Sequence, residues 1–200
     1  MIEIKEKNYI GQGTYQKCYI HPDNDNLCLK IRRNIRSNKS RVNQEINYYK
    51  KIQKRNTELP FLSKYHGEEI TNFGVASVYD LIKDETTNSV SLSMYDYLKM
   101  DESPFSDDLF VTEIQKLKRK LIKNKILIRD LTAKNICCKI LANKSIELII
   151  IDGVGHRDFI PLVEWIGFFT KRKMNKIYKR KKLYSMDEHR DWLESRNMMY

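Results

Sequence analysis

Up to Lys30 the apolar positions alternate with polar ones: Ile2 and Ile4, Tyr9 and Ile10, a Gly-Gln-Gly break, then KCYI, the turn-rich HPDNDN and the run LCLKI. This pattern predicts three short strands joined by turns. From Ser37 to Arg55 the spacing lengthens to three or four, with Val42, Ile46, Tyr49 and Ile52 recurring and Ser40 placed as an N-cap. That is the pattern of a helix, and Pro60 stops its extension. KYHGEEI and GVASVYDLI read as two further strands and the polar KDETTNS as a loop. Helical spacing returns over Val90 to Met100 and over Asp107 to Asn124, where Ile114, Leu117, Leu121 and Ile122 form an apolar stripe. ICCKI and IELIIID predict short strands around a LANKS hairpin turn, and Ile160 to Lys182 predicts a helix ending in a basic cluster. The expected class is α+β, with residues 1–83 forming a five-stranded antiparallel sheet plus one helix and residues 84–200 a reduced, mainly helical part.

Two hundred residues with 41% hydrophobic content suffice for one large domain or two small lobes. No apolar run reaches the roughly 18 to 20 residues needed to cross a bilayer, and the N-terminus lacks the apolar centre of a signal peptide. A cytoplasmic chain is expected. Cys18, Cys28, Cys137 and Cys138 show no Cys-x-x-Cys spacing, which points to reduced thiols rather than zinc or a disulfide. A net charge of +11 suits a polyanion, whether nucleic acid, an anionic membrane face or a phosphorylated glycan. Charge alone does not choose among them.

Chemistry enters with four features. Gly11 and Gly13 between two strands let backbone N–H groups approach a phosphate, although a Gly-x-Gly hairpin is also an ordinary turn. Lys30 ends the apolar strand LCLKI, so its ammonium either snorkels to an edge or meets a negative charge. Glu45 on the following helix offers that charge, the alternative being two solvated side chains. In NKILIRDLTAKNICCK, Asp130 and Asn135 share one loop, and Asp152 closes the strand IELIIID just before Gly153. Phosphoryl transfer needs a carboxylate to orient the acceptor hydroxyl and oxygen ligands for magnesium. A strand-ending Asp-Gly also serves as a simple turn.

Taken in order, these parts resemble the protein-kinase-like superfamily over residues 9 to 155. More narrowly, GQGTYQKCYIHP, QEINYYKKI, KYHG, VYDLIKD and KNICC look like the YrbL family, bacterial proteins named for a PhoP regulatory network. The superfamily resemblance implies a two-lobed fold that binds ATP and Mg2+. Gly11 and Gly13 would cover the phosphates, Lys30 would contact them and Glu45 would hold Lys30. Asp130 would orient the acceptor, and Asn135 and Asp152 would hold the metal. Cys28 stands where a small residue packs on adenine, and the segment Tyr79, Asp80, Leu81 and Ile82 would read the adenine edge. There are departures. Gln16 replaces the third glycine, Ile128 the histidine before Arg-Asp, and Gly153-Val154 the Phe-Gly pair. Thr132 replaces the lysine two residues after the base, with Lys134 as a nearby substitute. Fewer than fifty residues follow Asp152, too few for a full peptide-gripping lobe.

The run KRKMNKIYKRKK, with Trp165, Phe168, Phe169 and Ile177 nearby, fits either an anionic membrane leaflet or a helix that packs its aromatics and solvates its lysines. It matches no RNA-recognition or zinc-finger pattern, which argues against nucleic acid. The expected activity is ATP- and magnesium-dependent phosphorylation of a hydroxyl on an anionic sugar, small molecule or envelope glycan, in the cytoplasm or peripherally at the inner face of its membrane. The alternative is a nucleotide-sensing module that acts through a protein or membrane partner without turnover.

Overall fold

The computed structural model of the chain describes residues 1–33, 39–55, 58–155 and 167–196. Strands β1 (Tyr9–Gln12), β2 (Gln16–His21) and β3 (Asn24–Arg32), helix α1 (Lys39–Arg55), and strands β4 (Tyr65–Thr71) and β5 (Gly74–Asp80) follow in order. The strands form one antiparallel sheet in the order β1-β2-β3-β5-β4. The resulting class is a mixed α+β fold, and the chain divides into two units, Met1–Lys83 and Asp84–Tyr200.

Alternation along β3 and β5 gives the first sheet two different faces. On one, Tyr19, Leu29, Ile31, Ala76 and Val78 form a core closed by Ile4, with Ile2 and Leu27 at its margin. Ile2 and Ile4 precede the first strand, and hydrogen bonds hold them there. Ile2 N–H donates to the Ile70 carbonyl at 2.8 Å, and the Asn72 amide brackets Ile4 at 2.9 and 3.0 Å. The other face carries Cys28 opposite Tyr79 and Lys30 opposite Ser77. Here Tyr79 meets Tyr49 of α1 and Tyr65 of β4, each at 5.3 Å between ring centroids. Gln53 fixes α1 further by exchanging hydrogen bonds with the Tyr65 backbone at 3.0 and 3.3 Å. The helix begins at Lys39, so Ser40 lies in its first turn rather than at the N-cap. Ser37 is outside the described residues.

The second unit holds α2 (Met94–Leu98), α3 (Asp107–Lys123), a 3-10 turn (Ala133–Asn135), the hairpin β6 (Ile136–Ile140) and β7 (Ile146–Ile150), α4 (Gly167–Arg180) and α5 (Met186–Glu194). The expected helix over Val90 to Met100 shrinks to five residues because the chain before it pairs with β6. Cys138 N–H donates to the Leu92 carbonyl at 2.9 Å, and Ser93 bridges Cys137 before capping α2. Helix α3 follows its expected span, but its buried stripe is Phe110, Ile114, Leu117 and Leu121, with Ile122 on the flank. Tyr178 of α4 donates to the Ile114 carbonyl at 3.1 Å and locks α4 onto α3.

The loop after β5 is an anchor, because the buried Asp84 carboxylate accepts from Ser91 Oγ at 2.6 Å and from Ile140 N–H at 2.9 Å. The first part of the helix expected from Ile160, including Trp165, lies outside the described residues. In α4 itself Met174, Ile177 and Tyr178 form the buried seam while Phe168 and Phe169 stand exposed, so those two aromatics do not pack inward. Helix α5 is a further C-terminal helix for which the sequence pattern assigns no range. Among the described residues no helix is long and apolar enough to cross a membrane.

Candidate functional site

In the first unit the glycines lie where β1 turns toward β2. Gly13 N–H donates to the Gln16 carbonyl at 2.8 Å, closing a tight hairpin. A Cβ at Gly11 would meet nothing within 4 Å, and one at Gly13 only the Gln16 carbonyl at 4.0 Å. Packing within the described residues therefore does not require glycine at either position. What glycine provides there is backbone with no side chain over it, although the Gly13 N–H itself is committed to the Gln16 carbonyl. Gln16 sits at the base of the hairpin, its carboxamide nitrogen buried with no hydrogen-bond partner among the described residues.

Lys30 is buried on the helix-covered face of the sheet, with its ammonium 4.6 Å from the centre of the Tyr79 ring. A desolvated ammonium over a π face gains electrostatic stabilisation. Glu45 is half-buried on α1 one turn before Tyr49, which packs edge-on against the same Tyr79. Cys28 is buried beside them, and its Sγ lies 3.7 Å from the Asp80 carbonyl. Asp80 is heavily engaged within the sheet. Its carboxylate accepts from Lys64 N–H at 3.0 Å and pairs with His66 Nε2 at 2.6 Å, and its own N–H donates to the Lys64 carbonyl at 3.0 Å. Leu81 N–H donates to the Asn26 carbonyl at 2.8 Å. The donors at 80 and 81 are thus committed to the fold, so any reading of an adenine edge along this stretch falls to other backbone groups.

In the second unit Asp130, Asn135 and Asp152 come from two segments, Asp130 and Asp152 lying 22 positions apart in the chain, that are sewn together by backbone hydrogen bonds. Arg129 and Asp130 N–H both donate to the Gly153 carbonyl, at 2.8 and 3.2 Å. Ile151 N–H donates to the Asn135 carbonyl at 3.0 Å, Gly155 N–H to the Leu127 carbonyl at 2.9 Å, and Ile128 bridges Val154. The apolar side chains Leu127, Ile128, Leu131 and Ile150 around this seam are fully buried. Asn135 Nδ2 donates to the Asp130 carbonyl at 2.8 Å and stands 3.5 Å from Asp130 Oδ2. Asp152 Oδ1 accepts from Gly153 N–H at 2.7 Å, which turns the carboxylate at the end of β7.

Gly153 makes this approach possible. Its φ is +78°, and a Cβ there would stand 2.7 Å from the Asp130 carbonyl oxygen and 3.1 Å from Asn135 Nδ2. With Nδ2 directed at Asp130, the carboxamide oxygen of Asn135 is its ligand-capable atom. That oxygen and the Asp152 carboxylate are hard donors of the kind magnesium takes. Among the described residues no group of three or more His, Cys, Asp or Glu side chains could hold a metal by itself. A metal here would complete its shell with water or phosphate oxygens.

Around this loop Lys134 holds its ammonium 4.4 Å from the centre of the Tyr95 ring. Thr132, whose hydroxyl carries no charge, is buried and precedes the 3-10 turn. The carboxylate is met instead by Lys181, whose Nζ donates to Asp130 Oδ1 at 2.8 Å. No local signal distinguishes Lys181 from its basic neighbours, since its partner is 51 residues earlier in the chain.

The described cysteines are all free thiols. A family model described as PhoP regulatory network protein YrbL matches residues 2–183. Two curated relatives, each named Uncharacterized protein YrbL, come from Escherichia coli (strain K12) and Shigella flexneri. Each is 28% identical over 185 residues, covering 90% of this chain and 86% of its own. The match begins ahead of the glycine hairpin and runs past Asp152 to the end of the basic run, and on that extent the chain belongs to the YrbL family of PhoP regulatory network proteins.

Proposed function

We propose that the chain is an ATP- and magnesium-dependent phosphotransferase with a protein-kinase-like fold, acting on a hydroxyl of an anionic sugar or envelope glycan. The observation that carries this reading is the Gly153 junction, which packs the segment bearing Asp130 and Asn135 directly against the turn that follows Asp152. Asp130 orients the acceptor hydroxyl. As the acceptor oxygen bonds to the γ-phosphorus, the bridging bond to the β-phosphate breaks, ADP leaves with the electron pair, and the acceptor proton passes to the Asp130 carboxylate. Magnesium, when bound through Asn135 and Asp152, would supply charge neutralisation to the phosphates. The hairpin left free of side chains at Gly11 and Gly13 would lie over the phosphates and the buried ammonium of Lys30 would contact them. The exposed cations of α4 suit an anionic acceptor or an anionic membrane face.

Incubation with labelled ATP, magnesium and fractionated envelope glycans tests this reading. Transfer of label to one fraction is expected, falling by at least about 100-fold in Asp130→Ala and Asp152→Ala. ATP binding with no transfer to any glycan, lipid or protein fraction would refute it. That outcome would favour a second reading, a nucleotide-sensing module without turnover. The observation behind that second reading is that Asp130 Oδ1 is already engaged by an ammonium.

A further inference from the structure

Lys181 differs from every other described cation of the basic run. Arg180 and Lys182 on either side are exposed, whereas the Lys181 side chain is only 8% exposed. Burying an ammonium is unfavourable unless charge and hydrogen bonding compensate. Both are present. Nζ lies 2.8 Å from Asp130 Oδ1 and 4.3 Å from the centre of the Trp192 ring.

The end of the chain is arranged around this contact. Helix α4 stops at Arg180, Leu183 N–H donates back to the Tyr178 carbonyl at 3.0 Å, and Lys182 takes a left-handed φ of 57° that turns the backbone away. His189 of α5 then donates from Nδ1 to the Lys181 carbonyl at 2.6 Å, and its ring stacks on Trp192 at 5.8 Å and 5°. One residue of α5 fixes the Lys181 backbone and another roofs its ammonium. Arg190 secures α5 itself with a two-pronged bond to Asp107 at 2.7 and 2.8 Å. Asp130 meanwhile remains about half exposed, with Oδ2 on the Asn135 side.

We propose that Lys181 is a positioning residue for the phosphotransferase reaction. It clamps one oxygen of Asp130 so that the other faces the acceptor hydroxyl, and it sets one positive charge beside the group being transferred. The proposal rests on the phosphotransferase reading. It assigns to the C-terminal segment the cation that Thr132 does not provide.

The test uses the full chain as Lys181→Met, Lys181→Arg and Asp130→Asn, with the ATP Kd from calorimetry, kcat from labelled transfer, and lysine acetylation rates from mass spectrometry. Lys181→Met is expected to lower kcat by about 100-fold while the ATP Kd stays within about threefold, and Lys181→Arg to recover to within about tenfold of the parent. In Asp130→Asn, acetylation of Lys181 is expected to rise about tenfold with the α4 lysines unchanged, a readout that needs no activity and no foldable Lys181 variant. Met and Arg variants with kcat within about threefold of the parent, or unchanged acetylation in Asp130→Asn, would overturn the role of Lys181 alone. A parent chain that binds ATP and transfers to nothing would overturn the phosphotransferase reading, and this inference with it.

Discussion

Glycine serves opposite purposes at two positions of this chain. At Gly153 the left-handed backbone and the 2.7 Å approach to the Asp130 carbonyl both exclude a side chain. Gly153→Ala should therefore lose at least about 2 kcal/mol of stability, read as a lowered urea midpoint, and should displace Asp130 as it does so. Gly11 has no such neighbour, so Gly11→Ala should stay within about 0.5 kcal/mol of the parent. If Gly11 serves phosphate approach, the same variant should weaken ATP binding about tenfold by calorimetry. An Ala at 11 that binds ATP normally would remove the hairpin from the nucleotide-binding groups. The Asp-Gly dipeptide was legible as a strand end that turns sharply. Its contact with Asp130 was not, because a clash between residues 23 apart leaves no trace in local spacing.

Among the elements, the strands were legible because period-two alternation and turn residues mark them, and hairpins account for the neighbours β1-β2-β3 and β4-β5, whereas the pairing of β5 rather than β4 with β3 is seen only in the structure. The Val90 to Met100 misreading has a specific cause: backbone pairing of Leu92 and Ser93 to β6 outweighs helical spacing. Helix α5 carried a readable signal, Ser185 followed by Glu188, whose N–H the Ser185 hydroxyl accepts at 3.3 Å. What α5 contains beyond that is a titrating group. Burial, with Lys181 and Arg190 nearby, holds fully buried His189 down to about 4 against the ordinary 6.5, and its hydrogen bond to the Lys181 carbonyl only partly opposes this. Because the unfolded chain binds the proton more readily, His189 contributes stability that is complete above pH 6.5. That contribution is lost as pH falls from 6.5 toward 4 and amounts to about 3 kcal/mol. His189→Gln should flatten the pH dependence of the urea midpoint by close to one proton in that window. An unchanged slope would mean that His189 charges without penalty in the folded chain.

At the scale of the whole molecule, composition foretold a basic chain but not the distribution of its charge. On α4 the exposed Lys171, Arg172, Lys176, Lys179 and Arg180 oppose a seam of Thr170, Met174, Ile177 and Tyr178, while the next residue, Lys181, is drawn inward. Periodicity separates the two faces of the helix. It cannot single out the one lysine whose partner lies on a distant loop. The proposed function distributes nucleotide-binding groups over both units, with Lys30 in the first and Asp152 in the second, and that distribution has a thermodynamic consequence. A ligand that binds only the folded chain stabilises it by about 2.7 kcal/mol when present at 100 times its Kd. Magnesium-ATP should therefore raise the urea midpoint of the parent, and Lys30→Met and Asp152→Asn should each remove most of that rise at the same nucleotide concentration. If Asp152→Asn kept the full shift and Lys30→Met abolished it, nucleotide binding would belong to the first unit alone. The carboxylates gathered at Gly153 would then need a different explanation.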